Sequence, residues 1–173
     1  KPYIPLNRLD KNLFYVNSFS KQLSITGWRI GYFICHPCHM PAIRAIHDYT
    51  GLCVASVLQE AVARFLKDYD YGNLYVADLR RNLIRSFNCL KNALIRYGFS
   101  IPEISGGYFI WARLPEQFND SFRFAVDLYN EKKVAVIPGI HFSKAANNYV
   151  RFNIAREMGE IEQAIQRIGE FVG

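Results

Sequence analysis

Leu79, Leu83, Phe87, Leu90, Leu94 and Tyr97 recur at three- and four-residue steps, and the run stops at Gly98. That spacing predicts one long amphipathic helix with a glycine placed to cap its C-terminus. Such a helix divides the chain, because the residues before it and after it must each find a core. Before it, residues 12–18 and 29–35 read as two short strands rich in aromatic and β-branched residues, joined by a polar loop or short turn from Ser20 to Gly27. From about residue 39 the period becomes helical. Val54, Val57, Leu58, Ala61, Val62, Phe65 and Leu66 share one stripe, and Tyr71-Gly72-Asn73 breaks it. After Gly98 the pattern predicts a strand over 107–114, a helix over 121–132, a strand over 134–137 stopped by Pro138-Gly139, and a strand over 149–154. Ile161, Ala164, Ile165, Ile168 and Phe171 then mark a closing amphipathic helix. This alternation points to an α/β or α+β layer fold. The expected division is the end of one domain at 1–74 and a smaller domain at 75–173, entered through the long helix.

Composition narrows the function classes. Half of the 173 residues are apolar and 15% are aromatic, enough for one packed core or two small ones. Disorder, a collagen-like repeat and a disulfide scaffold are excluded. No apolar run approaches the ~20 residues of a membrane span, so a cytoplasmic protein without a membrane partner is expected. The opening Lys1-Pro2-Tyr3-Ile4-Pro5 resembles neither a signal nor a transit peptide, and it reads as cut from something longer. The net charge is +6, but the basic residues are scattered. Arg80, Arg81 and Arg85, with Asp78 nearby, read as a solvated helix face, so no nucleic-acid partner is expected. The surplus suits small anionic ligands equally well. Cys35-His36-Pro37-Cys38-His39 spells a haem-attachment pattern and offers thiols and imidazoles to a metal. Against both, Ile30 to Ile34 reads as a buried strand running into Cys35, and no metal is expected.

The stretch that carries chemistry is Ser18 to Tyr32, SFSKQLSITGWRIGY. A strand delivers the hydroxyls of Ser18 and Ser20, then Lys21, and eight residues later Arg29 between Gly27 and Gly31. Hydroxyls and a guanidinium make a phosphate cradle, because guanidinium gives two parallel hydrogen bonds and hydroxyls serve the remaining oxygens. A lysine beside a bound dianion is a candidate Schiff-base amine. On the residues alone, an exposed lysine and arginine on a flexible Ser/Gly loop remain an open alternative.

The same stretch resembles the pyridoxal-phosphate attachment site of the class I/II aminotransferases, the fold-type I family. Ser18, Phe19, Ser20, Lys21, Gly27, Arg29 and Gly31 match every position of that pattern, and Thr26-Gly27-Trp28-Arg29-Ile30-Gly31-Tyr32 is most similar to its aspartate/aromatic branch. Ser105-Gly106-Gly107-Tyr108-Phe109-Ile110-Trp111 resembles the Gly-Gly strand entering the family's small domain. Val136-Ile137-Pro138-Gly139 with Phe142 resembles the segment returning toward the active site. Tyr149-Val150-Arg151-Phe152-Asn153-Ile154-Ala155 resembles the strand whose arginine grips the substrate α-carboxylate.

The resemblance implies the C-terminal part of a fold-type I transferase: the end of the large α/β domain, a long linking helix and a small α+β domain. It implies pyridoxal 5′-phosphate as cofactor, with Lys21 as its Schiff-base lysine and proton shuttle. Ser18 and Arg29 hold the phosphate with Ser20 as helper, and Arg151 takes the carboxylate. The implied reaction moves an amino group between an amino acid and a 2-oxo acid, in a two-fold homodimer when full length. One departure matters. The family's ring-nitrogen Asp, its companion Tyr and a Gly-rich helix start lie well upstream of the lysine, whereas only 20 residues precede Lys21, and Asp10 and Tyr3 are too close. The chain is therefore expected to be a C-terminal fragment, inactive alone. A C–S lyase or synthase of the same fold, a non-catalytic regulatory module, and a haem or metal protein built on the Cys-His motif are the competing readings.

Overall fold

The computed structural model describes residues 10–173, so Tyr3 and the rest of the opening stretch lie outside the described residues. The chain divides into two units, one running to Asp78 and one covering Leu79–Gly173.

In the first unit β1 (Phe14–Ser18) pairs antiparallel with β2 (Gly31–Cys35), in a register running from Phe14 opposite Cys35 to Ser18 opposite Gly31. A β-carbon at Gly31 would stand 2.6 Å from the Asn17 carbonyl oxygen, so only glycine lets the strands approach there. The expected polar loop between the strands is partly helical. Ser18 ends β1 and caps α1 (Phe19–Gln22), accepting the Ser20 N–H at 3.1 Å, and a 3₁₀ turn follows at Thr26–Trp28. Four residues are too few for a helical period to be visible in sequence. Two helices follow, α2 (Met40–Thr50) and α3 (Ser56–Asp68), and the unit's core is Leu23, Ile30 and Val62. Asp70, Tyr71 and Gly72 all have positive φ and end the α3 region where the sequence pattern breaks. Cys35 is buried at the end of β2, with Sγ 3.7 Å from Met40 Sδ, while Cys38 is exposed and donates its N–H to His36 Nδ1 at 3.3 Å.

The long helix α4 (Asn73–Arg96) runs through the division between the units. Gly98 adopts φ 84°, its N–H bonds to Ile95 O at 3.1 Å, and Phe99 N–H bonds to Leu94 O at 3.0 Å. Those paired bonds satisfy the last carbonyls of the helix and fix its end.

The rest of the second unit is β3 (Phe109–Arg113), α5 (Ser121–Lys132), β4 (Ile137–Pro138), β5 (Tyr149–Asn153) and α6 (Met158–Val172). Its sheet is antiparallel in the order β3-β5-β4. Asp120 starts α5 by accepting the N–H groups of Phe122 and Arg123. Strand β3 is shorter than the apolar run suggests, because Gly107 at φ 109° keeps the chain out of strand conformation. Strand β4 begins later than expected and includes Pro138. Val134 and Val136 are buried in the core, but pairing with β5 occurs only at Ile137 opposite Arg151 and Pro138 opposite Val150. An edge strand tolerates the missing N–H.

One face of this sheet, with Ile110, Ala112, Val150 and Phe152, joins Leu90 and Leu94 of α4, Phe124 and Leu128 of α5 and Ile161 and Ile168 of α6 in a single core. Each fully buried side chain of this kind stabilises the fold by ~1.5–3 kcal/mol. Phe124 sits among the rings of Phe99, Phe118 and Phe171, with centroids 5.0–6.0 Å away. No helix among the described residues is long and apolar enough to cross a membrane.

Candidate functional site

The residues singled out from the sequence fall in two places, one in each unit. The first is the turn between β1 and β2. Its base is closed by Phe19 N–H donating to Ile30 O at 3.2 Å. Ser18 stands at the end of β1, with its Oγ 3.4 Å from Ile30 O and accepting the Ser20 N–H. The Ile30 contact is long for a hydroxyl donor, so the proton of Ser18 can turn to a stronger acceptor. Ser20 is buried beneath this point, whereas Lys21, next along α1, is exposed. Asn17 steadies the strand end: its Oδ1 accepts Ser18 N–H at 2.7 Å and its Nδ2 donates to the hydroxyls of Tyr15 and Tyr32. Burial, and then the hydrogen bond with Tyr32, raise the Tyr15 phenol above its ordinary value.

Arg29 occupies the left-handed region, φ 56° and ψ 40°, which is uncommon for a residue with a side chain. Its Nη1 donates to Thr26 O at 3.1 Å, within the same turn, and the side chain is exposed. A local strain of about 1–3 kcal/mol persists where surrounding structure enforces it, and such strain gathers at functional sites. The turn thus presents an amine, a guanidinium and a hydroxyl on one short, closed segment.

The second place is the face of the β3-β5-β4 sheet that is turned from the core. Alternation puts Val150 and Phe152 inward, leaving Tyr149 and Arg151 on the other side with Phe109 and Trp111 of β3. The Arg151 guanidinium carbon lies 4.2 Å from the centroid of Phe109 and 4.8 Å from that of Phe142. Trp111 stacks on Tyr149 at 5.5 Å and 9°, and meets Phe142 edge-on at 5.5 Å. Arg151 Nε is buried and has no hydrogen-bond partner among the described residues. A buried cationic donor left unsatisfied costs more than an ordinary lost hydrogen bond, so its presence asks for a reason. From the sequence, the aromatic and β-branched neighbours in its own strand are expected to hold the guanidinium, but Phe152 lies on the core face and the rings in contact are Phe109 and Phe142, which were not singled out for this role. The available signal was the alternation in both strands, which needs the register, Trp111 opposite Arg151, to become a contact.

Phe142 reaches this face from the 3₁₀ turn Gly139–His141, and its N–H is bonded to Gly139 O at 2.9 Å. A β-carbon at Gly139 would stand 2.6 Å from Tyr149 O and closer still to Ala146 O. Glycine is required for the turn to press this tightly on β5.

A family model described as aminotransferase class I and II matches residues 4–168. An aspartate aminotransferase of Thermotoga maritima is 30% identical over 164 residues, covering 92% of this chain and 40% of the relative. Aromatic-amino-acid aminotransferase 2 of Thermococcus litoralis is 28% identical, over 94% of this chain and 42% of its own length. Among solved structures, an aromatic aminotransferase of Pyrococcus horikoshii superposes with a TM-score of 0.84 at 28% identity, covering 92% of this chain and 42% of that one. The chain spans about two fifths of the length of the relatives it matches.

Proposed function

Because the chain belongs to the class I and II aminotransferases, a family dependent on pyridoxal phosphate, we propose that it is the C-terminal portion of an enzyme that moves an amino group between an amino acid and a 2-oxo acid. In this reading the first unit closes the large, cofactor-binding domain, and the second, reached through α4, is the small domain. The complete protein is a cytoplasmic homodimer.

The observation that carries the reading is the turn from Ser18 to Gly31. Its donor set fits the cofactor: a primary amine for an aldehyde, and a guanidinium and a hydroxyl for a phosphate dianion. When bound, the cofactor supplies the electron sink that lets a bond at the amino-acid α-carbon break heterolytically. Lys21 Nζ would hold the cofactor and, once displaced by the substrate amine, would take and return the α-proton as general base and acid. Arg29 and Ser18 bind the phosphate. The left-handed backbone at 29 sets where the guanidinium starts, and the long Ser18–Ile30 contact leaves the hydroxyl proton available. Ser20 acts through Ser18, whose oxygen it fixes with its own N–H. Arg151 binds the substrate carboxylate with parallel N–H donors, a geometry that lysine does not reproduce.

The test is product analysis with the complete protein, an amino acid and a 2-oxo acid. Formation of one new oxo acid per new amino acid, without ammonia, is expected. Release of ammonia with a cleaved fragment would replace transfer by a lyase reaction.

A further inference from the structure

Strand β5 is the central strand of its sheet, and Arg151 is held from both sides of it. Phe109 lies in β3, one strand over and diagonal to Arg151, while Phe142 follows β4, the strand on the other side. A guanidinium in water keeps most of its rotamer freedom and a full hydration shell, both of which must be given up when a carboxylate binds. An acidic neighbour would order the side chain but would occupy the N–H groups that the ligand needs. A ring face does otherwise. It attracts the cation through its quadrupole and uses no N–H donor. The distances of 4.2 and 4.8 Å place the guanidinium well within the range of that attraction for both rings. The buried, unpartnered Nε is the signature of a cation stabilised in this way.

We propose that Phe109 and Phe142 are positioning residues for Arg151: their rings hold the guanidinium oriented and partly dehydrated while leaving its donors unspent until a carboxylate arrives. The inference rests on the reading of Arg151 as the carboxylate-binding residue, and the two fail separately. Both phenylalanines are surface residues, 37% and 49% exposed, so Phe→Leu at either position opens no core cavity. Gly139 belongs to the same device, because the close seat of its turn on β5 delivers Phe142 to the guanidinium.

The experiment is nitrogen-15 NMR of the Arg151 Nε–H group in the protein, titrated with propionate as the probe. In the wild type this N–H is expected to exchange slowly with water and to shift as propionate is added. Phe109→Leu and Phe142→Leu should each weaken propionate binding about fivefold, the worth of one modest cation–π contact, and should speed Nε–H exchange by a similar factor. Phe142→Tyr, which keeps the ring face, should stay within about twofold of wild type on both readouts. A wild-type signal that responds to propionate but is unchanged in both leucine variants overturns the positioning role and leaves Arg151 as the carboxylate residue. So does a tyrosine variant as impaired as the leucine one. A wild-type signal indifferent to propionate overturns the role of Arg151 itself, and the inference with it.

Discussion

Replacing Arg151 by methionine should make the protein more stable while removing its response to carboxylates. Arg151 Nε is a buried donor without a partner, and such a group costs about 1–3 kcal/mol relative to a satisfied one. The rings of Phe109 and Phe142 return ~0.5–1 kcal/mol each through cation–π attraction. The unliganded arginine is thus neutral or costs about 1 kcal/mol. Methionine has comparable side-chain entropy to lose on ordering. It leaves no donor unsatisfied, and its sulfur gains ~0.3–1.5 kcal/mol against aromatic rings. The net expectation is a gain of ~0.5–2 kcal/mol. Equilibrium urea unfolding measures it, read by Trp111 fluorescence in a Trp28→Phe background so that the signal comes from the second unit. A loss of more than about 1 kcal/mol for Arg151→Met would mean that the guanidinium has stabilising partners in the free protein, and the idea of a donor held for substrate would fall.

Gly139→Ala should destabilise the second unit by ~1–3 kcal/mol and weaken carboxylate binding, because the added methyl group meets the backbone oxygens of Ala146 and Tyr149; urea unfolding and propionate titration check both effects. Treatment with pyridoxal phosphate and borohydride followed by peptide mapping should place the pyridoxyl group on Lys21, and a label on Lys11 or Lys144 instead would overturn that assignment. Phe124→Ala, which empties a site ringed by Phe99, Phe118 and Phe171, should cost ~3–5 kcal/mol in the same unfolding assay. Glu170 is held below the ordinary carboxyl value of 4.5, first by the hydrogen bond from Lys132 Nζ at 3.1 Å and then by that from Gln166. Its folded pKa lies below its unfolded one, so its stabilising effect is complete above pH ~4.5 and is lost as pH falls through the folded value. Lys132→Met should move the Glu170 carboxyl titration, followed by carbon-13 NMR, back toward the ordinary value.

The helices α3, α4, α5 and α6 were legible because each repeats an apolar stripe over eleven or more residues, long enough for the 3.6-residue period to declare itself. Gly98 was legible as a cap for the same reason: it terminates such a stripe. Helix α1 was not, being one turn long and specified by the Ser18 cap rather than by any period. The candidate groups around Lys21 could be picked out from sequence because they lie in one short contiguous stretch. What could not be read is the left-handed backbone of Arg29, which belongs to the closed turn and not to arginine as a residue type. The seat of Arg151 between Phe109 and Phe142 was hidden for a different reason. Phe109, Phe142 and Arg151 come from three segments, and only the register of β3 on β5 and the close packing of Gly139 bring them together. Pro138 likewise read as the end of a strand, since its tolerance in β4 depends on that strand being an edge.

The second unit can absorb mutation on the face of its sheet turned from the core. Sixteen buried residues form its single core among the described residues. A large core gives a margin against which an awkward residue can be carried, and Arg151 with its orphan donor stands on that margin. A library randomised at Phe109, Phe142 and Arg151 should therefore return many folded sequences even when the chemistry is not selected. Change in what this protein recognises is open to it on the β5 face, where the scaffold tolerates trial.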